Sequence, residues 1–574
     1  MTESGVVWRT LRKCKIQFLS AFGFGLFINL LMLAVPLFTM QVLDRVLSSG
    51  SKDTLVMLSV IVGVCLVTMG VLQALRSFVF QHVGRWLDDK LSVEIASKTT
   101  LLAVTKPGVG SQPLRDLASI RSFISSPAMV STVDAPWAII FFVGIYLINV
   151  SLGVAVTIGA VCLLLLSIVT ERLPAKRIAK ANETNVSAMR AISSILRNAE
   201  IIKAMGMADN AQRRWRNLNE SYLELSFANS SILTTISSIT KTLRLGLQVL
   251  LTGMGAWLVI NGGMSAGGII AVSILSGKAL APFDSGVAIY QGWIGVKKAN
   301  GRLNDLFAAV QDAEPVIDLP DPEGAIEVEK IAYRISDDTP WIIRGINISI
   351  SSGECIGVIG PSGGGKTTLA RILVGVTNPT SGAVRIDGAA LDQWDRKKLG
   401  NKVGYLPQDI ELFEGTVAEN IARLEENASG EKVVAAAKLA EVHDTILRLP
   451  SGYQTEVGAN GRNLSAGQRQ RIALARCFYG GPRVLVLDEP NSNLDTDGEA
   501  SLISALANAK AEGITTIVIA HRPSVLNIVD KIVVLHSGEA KRFGPRQEVL
   551  SSMQVPNSKG QFQTPQSMQS NNRG

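Results

Sequence analysis

Long stretches of the first half of this chain carry no charged side chain: Ile16–Leu43, Thr54–Leu75, Ala135–Thr170 and Leu245–Gly277. A helix needs about 20 mostly apolar residues to cross a bilayer, so the first two stretches each supply one span. The third holds 36 residues and as one helix would run roughly 54 Å, far past the hydrocarbon. It divides at Asn149-Val-Ser-Leu-Gly153 into two spans. The fourth divides at Asn261-Gly-Gly-Met-Ser-Ala-Gly-Gly268. Six membrane helices are expected, at about 16–43, 54–78, 135–150, 153–170, 232–260 and 266–290. Lys241, Arg244 and Lys278 fall inside or beside the last two. A charge at mid-bilayer costs about 2.5–3.5 kcal/mol on insertion scales, so each either snorkels near an end or faces a wet interior.

Basic residues set the orientation. Arg9, Arg12, Lys13 and Lys15 precede the first span. Arg76, Arg85, Lys90, Lys98, Arg115 and Arg121 lie between the second and third, and Arg172, Lys176, Arg177 and Lys180 follow the fourth. The opposite hairpins hold only Arg45 and Lys52. Both termini are therefore expected on the cytoplasmic side. The inward loops are long, the outward ones short, and spans two to five should extend into the cytoplasm. Two amphipathic segments mark the turning points of the inward loops, Pro113–Phe123 and Arg197–Met207. Each reads equally as an ordinary surface helix or as a contact for the second half of the chain.

The second half changes period and composition. Pro315, Pro320 and Pro322 mark a linker at 315–324. Strand-like segments follow at Ala325–Ile335 and Ile342–Ile350, and β-branched runs then alternate with helical ones to about Val549. This pattern predicts an α/β domain over 325–550 with added antiparallel strands near its start, behind an all-α membrane domain over 1–314. Residues 551–574, rich in Gln, Ser, Asn and Pro, read as a disordered tail whose removal leaves catalysis intact.

The chain has 574 residues, 47% of them hydrophobic, and a net charge of +8. The length allows several domains. The basic excess sits beside apolar spans, which favours a lipid bilayer and not nucleic acid as its partner. Cys14, Cys65, Cys162, Cys355 and Cys477 are scattered, without a C-x-x-C pair, and read as reduced core or membrane thiols.

The candidate chemistry lies in three places. Gly360-Pro361-Ser362-Gly363-Gly364-Gly365-Lys366-Thr367, followed by Thr368, fits G-x-x-x-x-G-K-[ST] between an apolar strand, Cys355–Ile359, and a helix. That context makes a phosphate cradle of backbone N–H groups at a helix start. Lys366 would reach the β- and γ-phosphates, and Thr367 would ligate Mg²⁺. Val484-Leu-Val-Leu carries Asp488 and Glu489 at the carboxyl end of a buried strand. Asp488 suits Mg²⁺, and Glu489 suits a base for the attacking water. Asn463-Leu-Ser465-Ala-Gly467-Gln468 precedes that strand.

With Leu464-Ser-Ala-Gly-Gln468, the chain resembles the ATP-binding cassette (ABC) family, whose signature is usually L-S-G-G-Q. Gln408 in Tyr405-Leu-Pro-Gln, Ser492-Asn-Leu-Asp495, and His521 in Ile517-Val-Ile-Ala-His match three further family motifs, in the family's order. The resemblance implies a fold of ABC-exporter type and ATP with Mg²⁺ as cofactors. Glu489, His521 and Gln408 become catalytic, Thr367, Gln408 and Asp488 metal-holding. It also implies two copies sandwiching two ATP molecules, Ser465 and Gly467 of one copy contacting the γ-phosphate held by Lys366 of the other; Gln468 and Asp495 are further nucleotide-binding candidates. Ala466 replaces a glycine but keeps its N–H. The family's adenine-stacking aromatic falls on Ile335, so Tyr333, Trp341 or an aliphatic surface must serve instead; Tyr333 is taken as the candidate.

The membrane half resembles the type I secretion ATPases of the alkaline-protease exporter group, through Pro113–Phe123, Asp134-Ala-Pro-Trp137 and Arg197–Met207. That implies a homodimer in the bacterial inner membrane exporting an unfolded protein with a C-terminal signal. Its partners would be a periplasmic adaptor and an outer-membrane channel of TolC type. A lipid, drug or peptide exporter and an ATP-gated membrane regulator are the rival expectations.

Overall fold

The computed structural model describes residues 5–105, 110–172, 175–310, 319–520 and 522–554. The chain forms two compact units, Met1–Gln311 and Asp312–Gly574.

The first unit is helical. A short helix α1 (Val6–Leu11) precedes α2 (Lys15–Met32) and α3 (Ala34–Gln41). Then come α4 (Lys52–Thr105), α5 (Gln112–Ile124), α6 (Pro127–Asp134), α7 (Ala138–Ile148) and α8 (Val150–Arg172). The unit finishes with α9 (Ala175–Arg197), α10 (Ala199–Ala204), α11 (Ala208–Ile260), α12 (Ala266–Ala279) and α13 (Ala281–Ala309). Among the described residues five helical stretches are long and apolar enough to cross a membrane, and Val150–Leu166 is a shorter apolar helix. At 54 residues, α4 runs about 80 Å, so no bilayer covers it from end to end.

The breaks have local causes. Asn149 alone turns extended (φ −159°, ψ 127°) between α7 and α8, a sharper break than the five-residue segment expected. Its side-chain oxygen accepts from the Ser151 N–H at 2.9 Å, giving one of the unpaired N–H groups at the helix start a partner. The second break lies at Asn261–Ser265, where Ser265 caps α12 by accepting from the Gly268 N–H. Asp44 joins this cap to the far end of the first span: it accepts from Ser265 Oγ at 2.6 Å and from the Gly267 N–H at 2.8 Å.

Polar knots hold the helices in register. Arg76 on α4 donates to Asp134 on α6 at 2.6 Å, and Asn29 on α2 donates to the same carboxylate oxygen at 3.3 Å. Arg302 on α13 grips the buried Asp116 on α5 through two hydrogen bonds of 2.7 and 2.6 Å. Pro113, Leu117, Ile120 and Ile124 bury the apolar face of α5, which packs on α4 and α13. The other turning point differs: Leu196, Ile201, Met205 and Met207 are exposed on their own unit. Of the three membrane cations, Lys241 and Lys278 are exposed and Arg244 is half-buried. One helix was not expected. Val7, Leu11 and Cys14, from α1 and the turn after it, are buried against Phe80, Leu87, Leu117 and Leu303, so the basic N-terminal segment is an integral layer of this unit.

The second unit has two sheets. β1 (Ile326–Tyr333), β2 (Ile343–Ile350), β4 (Ser381–Ile386) and β5 (Ala389–Ala390) form an antiparallel sheet in the order β2-β1-β4-β5. β3 (Cys355–Ile359), β6 (Val403–Leu406), β7 (Val484–Asp488), β8 (Thr515–Ile519), β9 (Lys531–His536) and β10 (Glu539–Pro545) form the larger one, in the order β10-β9-β3-β8-β7-β6. Every pair in it is parallel except β9–β10. β7 and β8 are buried throughout, as continuous apolar runs in a covered parallel sheet require. The helices that matter below are α14 (Lys366–Leu373), α15 (Ala466–Phe478), α16 (Thr496–Ala511) and α17 (Arg546–Gln554). α17 takes in Ser551–Gln554, which the sequence assigned to the tail; the rest of that tail and residues 315–318 of the linker lie outside the described residues.

Candidate nucleotide site

The carboxyl ends of β3 and β7 carry the candidate residues, with β8 between them. Open parallel sheets bind ligands at this edge.

The loop after β3 depends on glycine at two points. Gly360 has φ 156°, and a Cβ there would lie 2.1 Å from the Leu535 carbonyl oxygen. Gly365 sits in the left-handed region (φ 93°) at the start of α14, and a Cβ would meet Ile343 Cδ1 at 2.9 Å and the Ile342 carbonyl at 3.0 Å. The loop thus closes against β2 and β9 while Pro361, Ser362 and Gly363 stay exposed. Lys366 is buried, and its ammonium donates to the carbonyls of Gly360 (2.9 Å) and Pro361 (2.8 Å). A charge held by two neutral carbonyls remains available to a phosphate. Thr367 and Thr368 are half-buried on the first turn of α14.

A hydrogen-bonded chain runs across the edge. Thr367 Oγ1 donates to Gln408 Oε1 at 3.4 Å, and Gln408 Nε2 donates to Glu489 Oε2 at 3.2 Å. Gln408 comes from the exposed segment just after β6. Glu489 adopts φ 50°, uncommon for a non-glycine residue, and its N–H donates to the Ile519 carbonyl at 3.0 Å. That turn directs the carboxylate toward Gln408 and leaves Asp488 as the last residue of the strand.

Asp488 is buried, and neither carboxylate oxygen has a hydrogen-bond partner among the described residues. Burial pushes its pKa above the ordinary value, and the neighbouring Glu489 charge adds to this. Thr367, Arg371 and Lys366 oppose it. An unpaired buried carboxylate is costly, and a cation bound there would relieve it. Thr367 Oγ1, Gln408 Oε1 and Asp488 are all oxygen donors, the set a hard cation such as Mg²⁺ prefers.

The signature segment forms a different constellation. Ser465 and Gln468 make a capping box at the start of α15: Ser465 Oγ accepts from the Gln468 N–H, and Gln468 Oε1 accepts from the Ser465 N–H. The Gln468 side chain therefore shapes the helix start. Ser465 and Ala466 are exposed, so the extra methyl meets no crowding within the unit. Among the described residues no hydrogen bond joins Ser465, Gly467 or Gln468 to Gly360–Thr368. Asp495 caps α16 by accepting from the Gly498 N–H at 2.8 Å, and Arg471 of α15 donates to it at 2.7 Å. These partners, the Gly498 N–H first, hold the Asp495 carboxyl below its usual pKa.

One positioning residue escaped the sequence. Gln470 is buried, donates to the carbonyls of Glu489 (3.4 Å) and Pro490, and accepts from the Asn493 N–H at 3.0 Å. It ties α15 to the turn that carries Glu489. Its only sequence signal was an amide in a helix rich in charge. Tyr333 ends β1 with its ring half-buried against the core, whereas Ile335 is 72% and Trp341 38% exposed. The Arg334 guanidinium lies 4.7 Å over the Trp341 ring. Residue 521, the expected histidine, lies outside the described residues.

Comparison with known proteins agrees with both halves. A profile described as ABC transporter transmembrane region matches residues 18–280, and one described as ABC transporter matches residues 343–492. The chain is 39% identical over 552 residues to the type I secretion system ATP-binding protein PrsD of Rhizobium meliloti (strain 1021), covering 95% of this chain and 94% of that one. It is 31% identical over 545 residues to the leukotoxin translocation ATP-binding protein LktB of Mannheimia glucosida, covering 93% of this chain and 76% of that one. A solved bacterial Atm1-family ABC exporter with ATP bound superimposes with a TM-score of 0.82 at 24% identity, covering 94% of this chain and 97% of that one.

Proposed function

From a chain that belongs to the ABC transporters, and among them to the type I secretion ATP-binding proteins, we propose ATP-driven export of an unfolded protein across the bacterial inner membrane. The observation that carries this is the similarity to PrsD along nearly the whole of both chains, joined to a complete Thr367–Gln408–Glu489 chain at the nucleotide edge.

The ATPase couples hydrolysis to transport. In the proposed mechanism the Gly360–Thr367 loop and the start of α14 receive the β- and γ-phosphates, and Lys366 turns from its two carbonyls to their charge. Thr367, Gln408 and Asp488 would hold Mg²⁺. Such an ion would supply positive charge for the phosphate oxygens. Glu489, held by Gln408, orients water and takes its proton. His521 joins Glu489 and Gln408 in the proposed catalytic set through its motif alone. The adenine has three neighbouring candidates, Tyr333, Ile335 and Trp341. Trp341, 38% exposed with the Arg334 guanidinium over its ring, stands next to Ile342, whose carbonyl borders Gly365.

Ser465, Gly467 and Gln468 make no hydrogen bond, among the described residues, to the phosphate loop of their own chain, which supports a site completed by a second copy. The proposed assembly is a homodimer with both termini and the ATPase unit in the cytoplasm. A periplasmic adaptor and an outer-membrane channel of TolC type complete the path for a substrate with a C-terminal signal. Cross-linking in cells, with mass spectrometry of the proteins captured on this chain, tests the assembly: recovery of an adaptor supports it, and recovery of lipid-transfer proteins alone contradicts it.

A further inference from the structure

An open groove of about 580 Å³ lies between α2 and α4, away from the nucleotide edge and within the first unit. Gln17 and Phe24 line it from α2; Leu75, Phe78, Val79, Gln81, His82 and Arg85 line it from α4. The two helices run antiparallel here. Gln17 stands two residues into α2, near the start of its uncharged run, and Leu75 is the last residue of the uncharged run of α4. The lining is therefore graded. Phe24, Leu75 and Phe78 form an apolar end beside the two uncharged runs. Gln17, Gln81, His82 and Arg85 form a polar end beyond it, roughly 5–15 Å away along the helix axes.

The charge is one-sided: among the described residues no acid lines the groove. Arg76, the first charge after the apolar run, is buried and turned to Asp134, so it does not serve this face. Arg85 is 83% exposed, and its ion pair with Asp89 spans 3.9 Å between exposed side chains, too loose and too wet to hold it. Lys13 and Lys15 are exposed just before the groove's polar end. A guanidinium and amide donors above an aromatic wall, at a membrane edge, suit a phosphate joined to acyl chains.

We propose that this groove binds one anionic phospholipid from the leaflet nearest the start of α2, its phosphate at Arg85, His82 and Gln81 and its upper acyl chain on Phe24, Leu75 and Phe78. The proposal rests only on the chain's spanning a bilayer and not on the nature of the exported substrate, so it can fail while the export function stands.

The test reconstitutes the full chain in phosphatidylcholine vesicles carrying a photoactivatable phosphatidylglycerol or, in a parallel arm, a photoactivatable phosphatidylcholine. Adducts are mapped by mass spectrometry. Phosphatidylglycerol should label peptides 17–24 and 75–85 above the phosphatidylcholine arm. Arg85→Gln should cut that labelling about fivefold, the weight of one basic residue at an anionic surface, and Arg85→Lys should restore it. ATP hydrolysis retained by the Arg85→Gln protein shows that it is folded. Equal labelling by both lipids, adducts confined to other segments, or labelling untouched by Arg85→Gln would overturn the proposal. So would a disulfide between Phe78→Cys and Phe24→Cys copies at the expense of lipid adducts, which would make a second copy the occupant.

Discussion

Gln408 donates its side-chain amide to the Glu489 carboxylate at 3.2 Å while its oxygen accepts from Thr367. The segment after β6 is thereby tied to both halves of the proposed catalytic edge. Glu489→Gln should keep ATP binding and slow hydrolysis by about 10²–10⁴-fold, the usual weight of a general base. Gln408→Ala should lower the rate as well, without losing nucleotide affinity to the same degree. Single-turnover hydrolysis beside equilibrium nucleotide binding separates the two quantities; near-normal turnover in Glu489→Gln removes the base assignment.

Asp488 gives a prediction of opposite signs. Its folded pKa is raised, mainly by burial, so the ionised form is disfavoured in the folded protein. Stability contributed by the protonated carboxyl is present below the unfolded value of 3.8 and is lost as pH rises through the raised folded value. At neutral pH without Mg²⁺, Asp488→Asn should raise the melting temperature by a few degrees. The gap over the native chain should vanish as pH falls to the ordinary carboxylate range. The same variant should lose Mg²⁺-dependent ATP hydrolysis. A melting temperature that falls at neutral pH contradicts the account of this residue.

In the membrane unit, Arg76 and Asp134 form a pair with side chains 6% and 28% exposed. Asp134→Ala leaves the buried Arg76 charge without this partner and should cost about 3–5 kcal/mol, whereas Arg76→Ala leaves a partly exposed Asp134 still bonded to Asn29 and should cost less. Both variants should lower the thermal stability of the detergent-solubilised protein, Asp134→Ala the more, and the double variant should lose less than the two losses added together. Additive losses would show that the pair is not coupled.

Adenine binding separates Trp341 from Tyr333. Trp341→Ala should weaken ATP binding about tenfold, within the roughly 1–3 kcal/mol that a base gains on an aromatic face. Tyr333→Leu, which keeps an apolar side chain against the core, should change ATP affinity little. Fluorescent-nucleotide titration of both variants decides, and the reverse order of effects would move the adenine to Tyr333.

The strands, loop and helix that carry the candidate nucleotide residues were legible because their pattern is local. A phosphate loop needs glycine where φ is positive and side chains collide, and Gly360 and Gly365 show both. The acids after the apolar run 484–487 fall where that run predicts a buried strand to end, and β7 ends there. Gln470 was not legible, since its partners are backbone groups of Glu489, Pro490 and Asn493, about twenty residues away. Helix α1 was hidden by its basic neighbours: Val7 and Leu11 are i,i+4 partners, but only Phe80, Leu117 and Leu303 on distant helices make that face a core. The break at Asn149 was visible only as a region, because a single extended residue leaves no composition signal beyond one asparagine.

The most direct test of ATP-driven protein export is quantitative mass spectrometry of the culture medium. Cells carry the native chain, Lys366→Ala or Glu489→Gln, each at matched levels in the membrane. At least one secreted protein should disappear from the medium with both variants, accumulate inside the cells, and return with the native chain. A medium whose protein content is the same in all three strains would contradict the account.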